Sequence, residues 1–121
     1  MSAAVIIFVR RVLLATRFSW QGLRAGWRMQ AALRYEIWFS LLVIPLGLWL
    51  GRTSLERALL IGSWLQVIVV ELFNSAIETV VDRIGSEIHE LSGRAKDLGS
   101  AAVFCSLILA VAVWLVLWLD R

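Results

Sequence analysis

An all-α membrane protein, with one amphipathic helix on the surface and three helices crossing the bilayer, is the fold class this sequence predicts. Three observations carry that expectation. The 121 residues are 60% hydrophobic with a mean hydropathy of +0.81, more apolar surface than a water-soluble chain of this length can hide. Three long apolar stretches are separated by short polar ones. Arg10, Arg11, Arg17, Arg24, Arg28 and Arg34 load the first third, and no acidic residue precedes Glu36. One domain, 1–121, is the natural count. The single Cys105 excludes an internal disulfide and sits in an apolar run.

The first element is expected over residues 1–28. Arg10, Arg17, Arg24 and Arg28 fall within about 40° of one another on a helix, with Phe8, Val9, Val12, Leu23 and Trp27 on the far side. That pattern describes a helix in the membrane interface, with Trp20 and Trp27 at headgroup depth. Each cation near an anionic surface adds about 1 kcal/mol. A basic arm also suits nucleic acid, but apolar residues interleave the arginines throughout. The apolar stretch 3–9 is cut by Arg10 and Arg11, with no small-residue cleavage site after it, so it is expected to be retained.

The first span is placed at 30–50. Only 37–50 is free of charge, short of the roughly 20 residues a bilayer needs. Arg34 and Glu36 must therefore stand at the membrane edge or face other helices. Pro45 predicts a kink. Gly51 offers a helix stop, and Thr53 or Ser54 the next N-cap. The second span is expected at 55–81, followed by a polar loop over 82–97. The third, 98–119, has twenty-two residues without a charge, and Trp114 and Trp118 mark its far interface. The N-terminal arm and the 82–97 stretch hold nine of the twelve Lys and Arg residues. The positive-inside rule puts both in the cytoplasm and the C-terminus outside.

The chemistry concentrates in the second span. Glu71, Asn74, Glu78 and Asp82 lie within an arc of about 80° on an otherwise apolar helix. A charged carboxylate at membrane depth costs roughly 2.5–3.5 kcal/mol on insertion scales, so the stripe must face protein, water or metal. Glu87, His89, Glu90, Arg94, Lys96 and Asp97 follow closely. Carboxylates beside cations suit a Mg²⁺-nucleotide, and a spare carboxylate could take a proton from a lipid hydroxyl. No Walker or dinucleotide loop, zinc pattern or nucleophile elbow is present. Taken alone, Glu71 and Glu78 would equally serve a proton relay or a cation site in a small transporter. Asn74 alone is more often interhelical glue. Asp82 is expected to cap its helix or pair with Arg83 or Arg94, and Glu36 and Glu90 to be solvated or structural charges.

The run from Glu71 through Asn74, Glu78, Asp82, Glu87, His89 and Lys96 to Asp97, with the earlier Ser19-Trp20-Gln21-Gly22-Leu23-Arg24-Ala25, closely resembles the signature of the prokaryotic membrane-integral diacylglycerol kinases. The resemblance extends over about residues 10–119. It implies a homotrimer with active sites shared between subunits at the cytoplasmic face of the bacterial inner membrane. It implies transfer of the γ-phosphoryl group of MgATP to diacylglycerol, giving phosphatidic acid. By the same resemblance Glu71 is the general base and Asn74 and Lys96 are catalytic. Glu78 is a metal ligand. Arg11, Phe18, Gln30, Glu87, His89, Lys96 and Asp97 contact the nucleotide. Arg24, Trp49 and Ser100 line the lipid site with Glu71. Two positions depart from the pattern. Gln30 stands where the family has a metal-ligating glutamate, which predicts a weakened second metal position. Phe18 replaces a frequent tyrosine, which predicts a mild loss. Alternatives are the same transfer to undecaprenol, a small cation or drug exporter using the intramembrane carboxylates, or an inactive scaffold.

Overall fold

A computed structural model describes residues 1–121 as four helices joined end to end. α1 spans Ala3–Met29, α2 Ala31–Leu50, α3 Ser54–Ile84 and α4 Glu90–Leu119. The last three are each long and apolar enough to cross a membrane. Only 16 of 121 residues are buried, and Phe8, Leu41, Trp49, Phe73, Phe104 and Trp118 lie exposed. The apolar majority therefore faces outward, as a chain solvated by lipid requires.

Each boundary has a local cause. Ser2 caps α1 by accepting from the Val5 N–H. Gln30 is extended (φ −119°, ψ 108°) and breaks the chain between α1 and α2. Arg34 reaches back from α2 and donates to the carbonyls of Trp27 (2.8 Å) and Arg28 (3.1 Å). A cation thus caps the negative end of α1, and this is how a span only fourteen residues free of charge extends to twenty residues. α2 continues through Pro45 without interruption. Gly51 ends it, where a Cβ would meet the Arg57 backbone nitrogen at 2.9 Å. Thr53 is the N-cap of α3, accepting from the Glu56 N–H at 3.1 Å, and Glu56 in return accepts from the Arg52 N–H at 2.7 Å.

The stretch 82–97, expected as a polar loop, is mostly helix. α3 runs on through Ile84 and α4 begins at Glu90, leaving only 85–89 non-helical. A helix satisfies its own backbone and does not stop where hydrocarbon stops. Arg83 in the last turn of α3 and Glu90 in the first turn of α4 match the helix dipoles. An i,i+4 ion pair, Glu90–Arg94 at 3.1 Å, supports the new start. His89 is the N-cap, its Nδ1 accepting from the Leu91 N–H at 3.0 Å.

α3 is the central helix. It packs most extensively against α4, then against α2, while α1 buries no residue of its own. Val43, Trp64, Val67 and Ala110 form the core, with Ile68 and Trp114 against it. Lipid gives helices little hydrophobic reason to associate, so close fit and polar links matter more. Gly47 lets α2 approach α3, where a Cβ would stand 3.3 Å from Ile61 Cγ1. The Trp64 indole donates to Ser40 Oγ at 2.8 Å, Gln66 to the Ser106 carbonyl at 2.7 Å, and Trp114 to the Leu60 carbonyl at 3.1 Å. These links fix the register of three helices and place the polar face of α3 against its neighbours.

Candidate active site

The helical spacing of the acidic stripe becomes a file of polar groups along α3. Glu71 and Asn74 are 5% and 7% exposed; Glu78 is half-buried and Asp82 exposed. The Asn74 amide nitrogen donates to Glu78 Oε1 through a long bond of 3.4 Å. From α4, Lys96 donates to Asp82 Oδ1 at 2.8 Å and lies within the field of Glu78. From α2, Glu36 comes within Coulombic reach of Glu71. The file therefore runs from Glu71, buried in the bundle with the half-buried Glu36 of α2 beside it, through Asn74 and Glu78 to the Asp82–Lys96 pair.

Three buried polar atoms in or next to the file are unpaired. Glu36 Oε2, Asn74 Oδ1 and Ser75 Oγ are buried without a hydrogen-bond partner. Buried polar atoms are nearly always satisfied, so a cluster of exceptions points to a use. Lys96 precedes the charge-free run 98–119, and its hydrogen bond to Asp82 raises its pKa, keeping it a firm cation.

Glu71, Asn74, Glu78 and Lys96 are thus brought together. No side-chain hydrogen bond or ion pair joins the other expected residues to them. Arg11, Phe18 and Arg24 lie exposed along α1, and Gln30 is half-buried at the α1–α2 break. Glu87 and His89 line a shallow cleft of about 260 Å³ with Ile84, Gly85, Leu91 and Ser92. Asp97 and Ser100 are exposed on α4. Trp49, 79% exposed, stands thirteen residues beyond Glu36 on α2, roughly 20 Å along the helix.

Two features were not fully read in the sequence. Asp82 pairs with Lys96, not with Arg83 or Arg94; Arg94 is taken by Glu90. The packing of α4 on α3 selects the partner among three nearby cations. Glu36, expected as a solvated or structural charge, is half-buried beside the file, which fits the structural alternative. A signal existed: Leu33, Glu36, Ser40, Val43 and Gly47 repeat at helical spacing, and the other four are buried.

The donors present suit a cation carried by its substrate. They are carboxylate and amide oxygens, the ligands Mg²⁺ prefers, and it usually takes one or two protein carboxylates and completes its shell with phosphate and water. No three His, Cys, Asp or Glu side chains gather into a closed cage. Such a file offers a base at depth, a metal-supporting carboxylate above it and a cation at the rim, the parts a phosphoryl transfer needs.

Comparison with known proteins agrees. The family model of prokaryotic diacylglycerol kinase matches residues 17–118. The diacylglycerol kinase of Escherichia coli K12 is 53% identical over 107 residues, 88% of each chain. That of Haemophilus influenzae is 51% identical over 100 residues, 83% of this chain and 85% of its own. That of Pseudomonas aeruginosa is 42% identical over 106 residues, 88% and 86%. With a match that covers nearly the whole helical bundle and the entire acidic file, the chain belongs to the prokaryotic diacylglycerol kinase family.

Proposed function

We propose that this multi-pass membrane protein transfers the γ-phosphoryl group of MgATP to the free hydroxyl of diacylglycerol, giving phosphatidic acid and ADP. Family membership supports the reaction. The observation that carries the mechanism is a buried Glu71 at the inner end of a polar file that ends in an Asp82–Lys96 pair. Glu71 accepts the proton as the lipid oxygen attacks the γ-phosphorus and the bond to the β-γ bridging oxygen breaks. Glu78, steadied by Asn74, supports the metal end of the nucleotide, with Gln30 as a weaker neutral donor. Lys96, with Arg11, balances phosphate charge. A Mg²⁺ held there with the nucleotide would supply Lewis-acid stabilisation of the charge on the phosphoryl groups. Phe18, Glu87, His89 and Asp97 are assigned to the nucleotide, and Arg24, Trp49 and Ser100 to the lipid.

The working unit in this reading is a homotrimer with shared sites. α1 buries nothing within its own chain, which leaves Arg11, Phe18 and Arg24 exposed and free to serve the acidic file of a neighbouring copy. The basic distribution favours an inner-membrane orientation with the N-terminus cytoplasmic and the C-terminus outside. Lipid enters from the bilayer and ATP from water. The test is Mg²⁺- and lipid-dependent turnover of labelled ATP in detergent micelles, with the lipid product identified and undecaprenol run beside diacylglycerol. Phosphatidic acid as the dominant product is expected, and Glu71→Gln should abolish it while leaving the assembly intact. A fully active Glu71→Gln enzyme would sink the assignment of the base. Preferential labelling of undecaprenol would replace the acceptor.

A further inference from the structure

We propose that Gly99 is a positioning residue: its missing side chain is what allows the Asn74 amide to aim at Glu78. The inference rests on the role given above to Asn74 and Glu78. Gly99 is one of three buried residues of α4 and faces α3 at the level of the acidic file. A Cβ at this position would collide with Asn74 Oδ1 and stand 3.2 Å from Asn74 Cγ and 3.9 Å from Asn74 Cα. The amide is therefore clamped from both ends. Its oxygen presses against the bare Cα of Gly99, and its nitrogen donates to Glu78 at 3.4 Å. Asn74 is 93% buried by its 7% exposure, and that oxygen has no hydrogen-bond donor. Its direction is set by the space that Gly99 leaves open, not by a bonded donor.

The consequence is specific. The atoms that a methyl at residue 99 would crowd, Asn74 Oδ1 and Cγ, belong to one side chain, while the backbone Cα of Asn74 stays at ordinary contact distance. A turn of the Asn74 amide with a shift of a few tenths of an ångström at its Cγ relieves the collision at little cost to the fold, and that movement takes the nitrogen away from Glu78. Gly99→Ala should therefore act on the site without melting the protein. Other glycines show that this is not a general property of the helices. A Cβ at Gly93 on α4 or Gly62 on α3 meets nothing within 4 Å.

The chain contains one asparagine, so selective ¹⁵N-asparagine labelling reports the Asn74 side chain alone. In micelles, Gly99→Ala is expected to move its amide resonance pair, while Gly93→Ala leaves it in place. Turnover of Gly99→Ala should fall at least tenfold, with the Mg²⁺ needed for half-maximal rate raised several-fold and the apparent KM for lipid unchanged. A purely structural role would not produce that split. Asn74→Ala separates the two readings. Full activity in Asn74→Ala would overturn the part given to Asn74 itself. Loss of activity in Asn74→Ala alongside an unmoved resonance and normal turnover in Gly99→Ala would overturn only the role of Gly99. Should Gly99→Ala fail to fold, the Asn74→Ala/Gly99→Ala pair decides. Recovery of the Asn74→Ala melting temperature supports the clamp, and a double variant no more stable than Gly99→Ala refutes it.

Discussion

The link between Trp64 and Ser40 ties the helix that carries Glu71 to the helix that carries Glu36, and its strength can be worked out. Trp64→Phe removes the indole donor of the 2.8 Å bond and keeps an aromatic ring edge-on to Phe39, whose centroid lies 5.4 Å away. Ser40 still donates to the Glu36 carbonyl at 2.8 Å, so no hydroxyl proton is stranded. Ser40→Ala is harsher, because it leaves a buried indole N–H without an acceptor, at about 1–3 kcal/mol. Interhelical hydrogen bonds in bilayers average about 0.6 kcal/mol and reach about 1.7. With good length and both partners buried, the coupling should fall in the upper half, about 1–1.5 kcal/mol. The two single variants and Trp64→Phe/Ser40→Ala, unfolded by SDS titration from mixed micelles, give that coupling directly. Packing lost with the indole appears in both arms and cancels. A coupling below about 0.3 kcal/mol would lie within ordinary additivity. It would mean that this contact does not hold the two helices, and that Glu36 and Glu71 are kept together by something else.

Gln30→Glu should introduce a charged oxygen at the helix break; several-fold less Mg²⁺ at half-maximal rate, read by magnesium titration of turnover, is the expected result. Asp82→Asn should leave the melting temperature nearly unchanged, since the pair with Lys96 is largely solvated. Because Asp82 raises the Lys96 pKa, what stability the pair gives is present at neutral pH and fades as pH climbs through and past the ordinary lysine value of 10.5. Melting curves of wild type and Asp82→Asn should accordingly converge at high pH. Arg34→Gln removes a cationic cap from two carbonyls at the end of α1. It should weaken that last turn by about 1 kcal/mol, seen as roughly fivefold faster amide exchange over residues 26–29.

What the sequence could and could not reveal follows from the range of each interaction. The three spans were legible because hydropathy is a local, additive property, and 98–119 needs no partner to be recognised. The stripe from Glu71 to Asp82 was legible because helical periodicity alone puts it on one face. The polar stretch 82–97 misled because charge density marks the end of hydrocarbon, not the end of a helix. The sequence left two places open for Arg34 and Glu36, the membrane edge or a face against other helices. Together they look like an edge, although one turns back to α1 and the other turns inward. The partner of Asp82 and the fit of Gly99 on Asn74 depend on the register of α4 against α3. No spacing within either helix encodes that register.

The length of α3 has a consequence for where the two reactants can meet. Its 31 residues measure about 46 Å, against roughly 30 Å of hydrocarbon. With Arg57 at one border of the oil, the opposite border falls near Ile77. Glu71 then lies some 9 Å below that border and Asp82 beyond it. On the proposed mechanism, a single rigid rod thereby carries one end of the reaction in solvent suited to a greasy alcohol and the other in solvent suited to a polyanion. Neither molecule has to leave its own phase, and the group that moves between them travels the least distance of all.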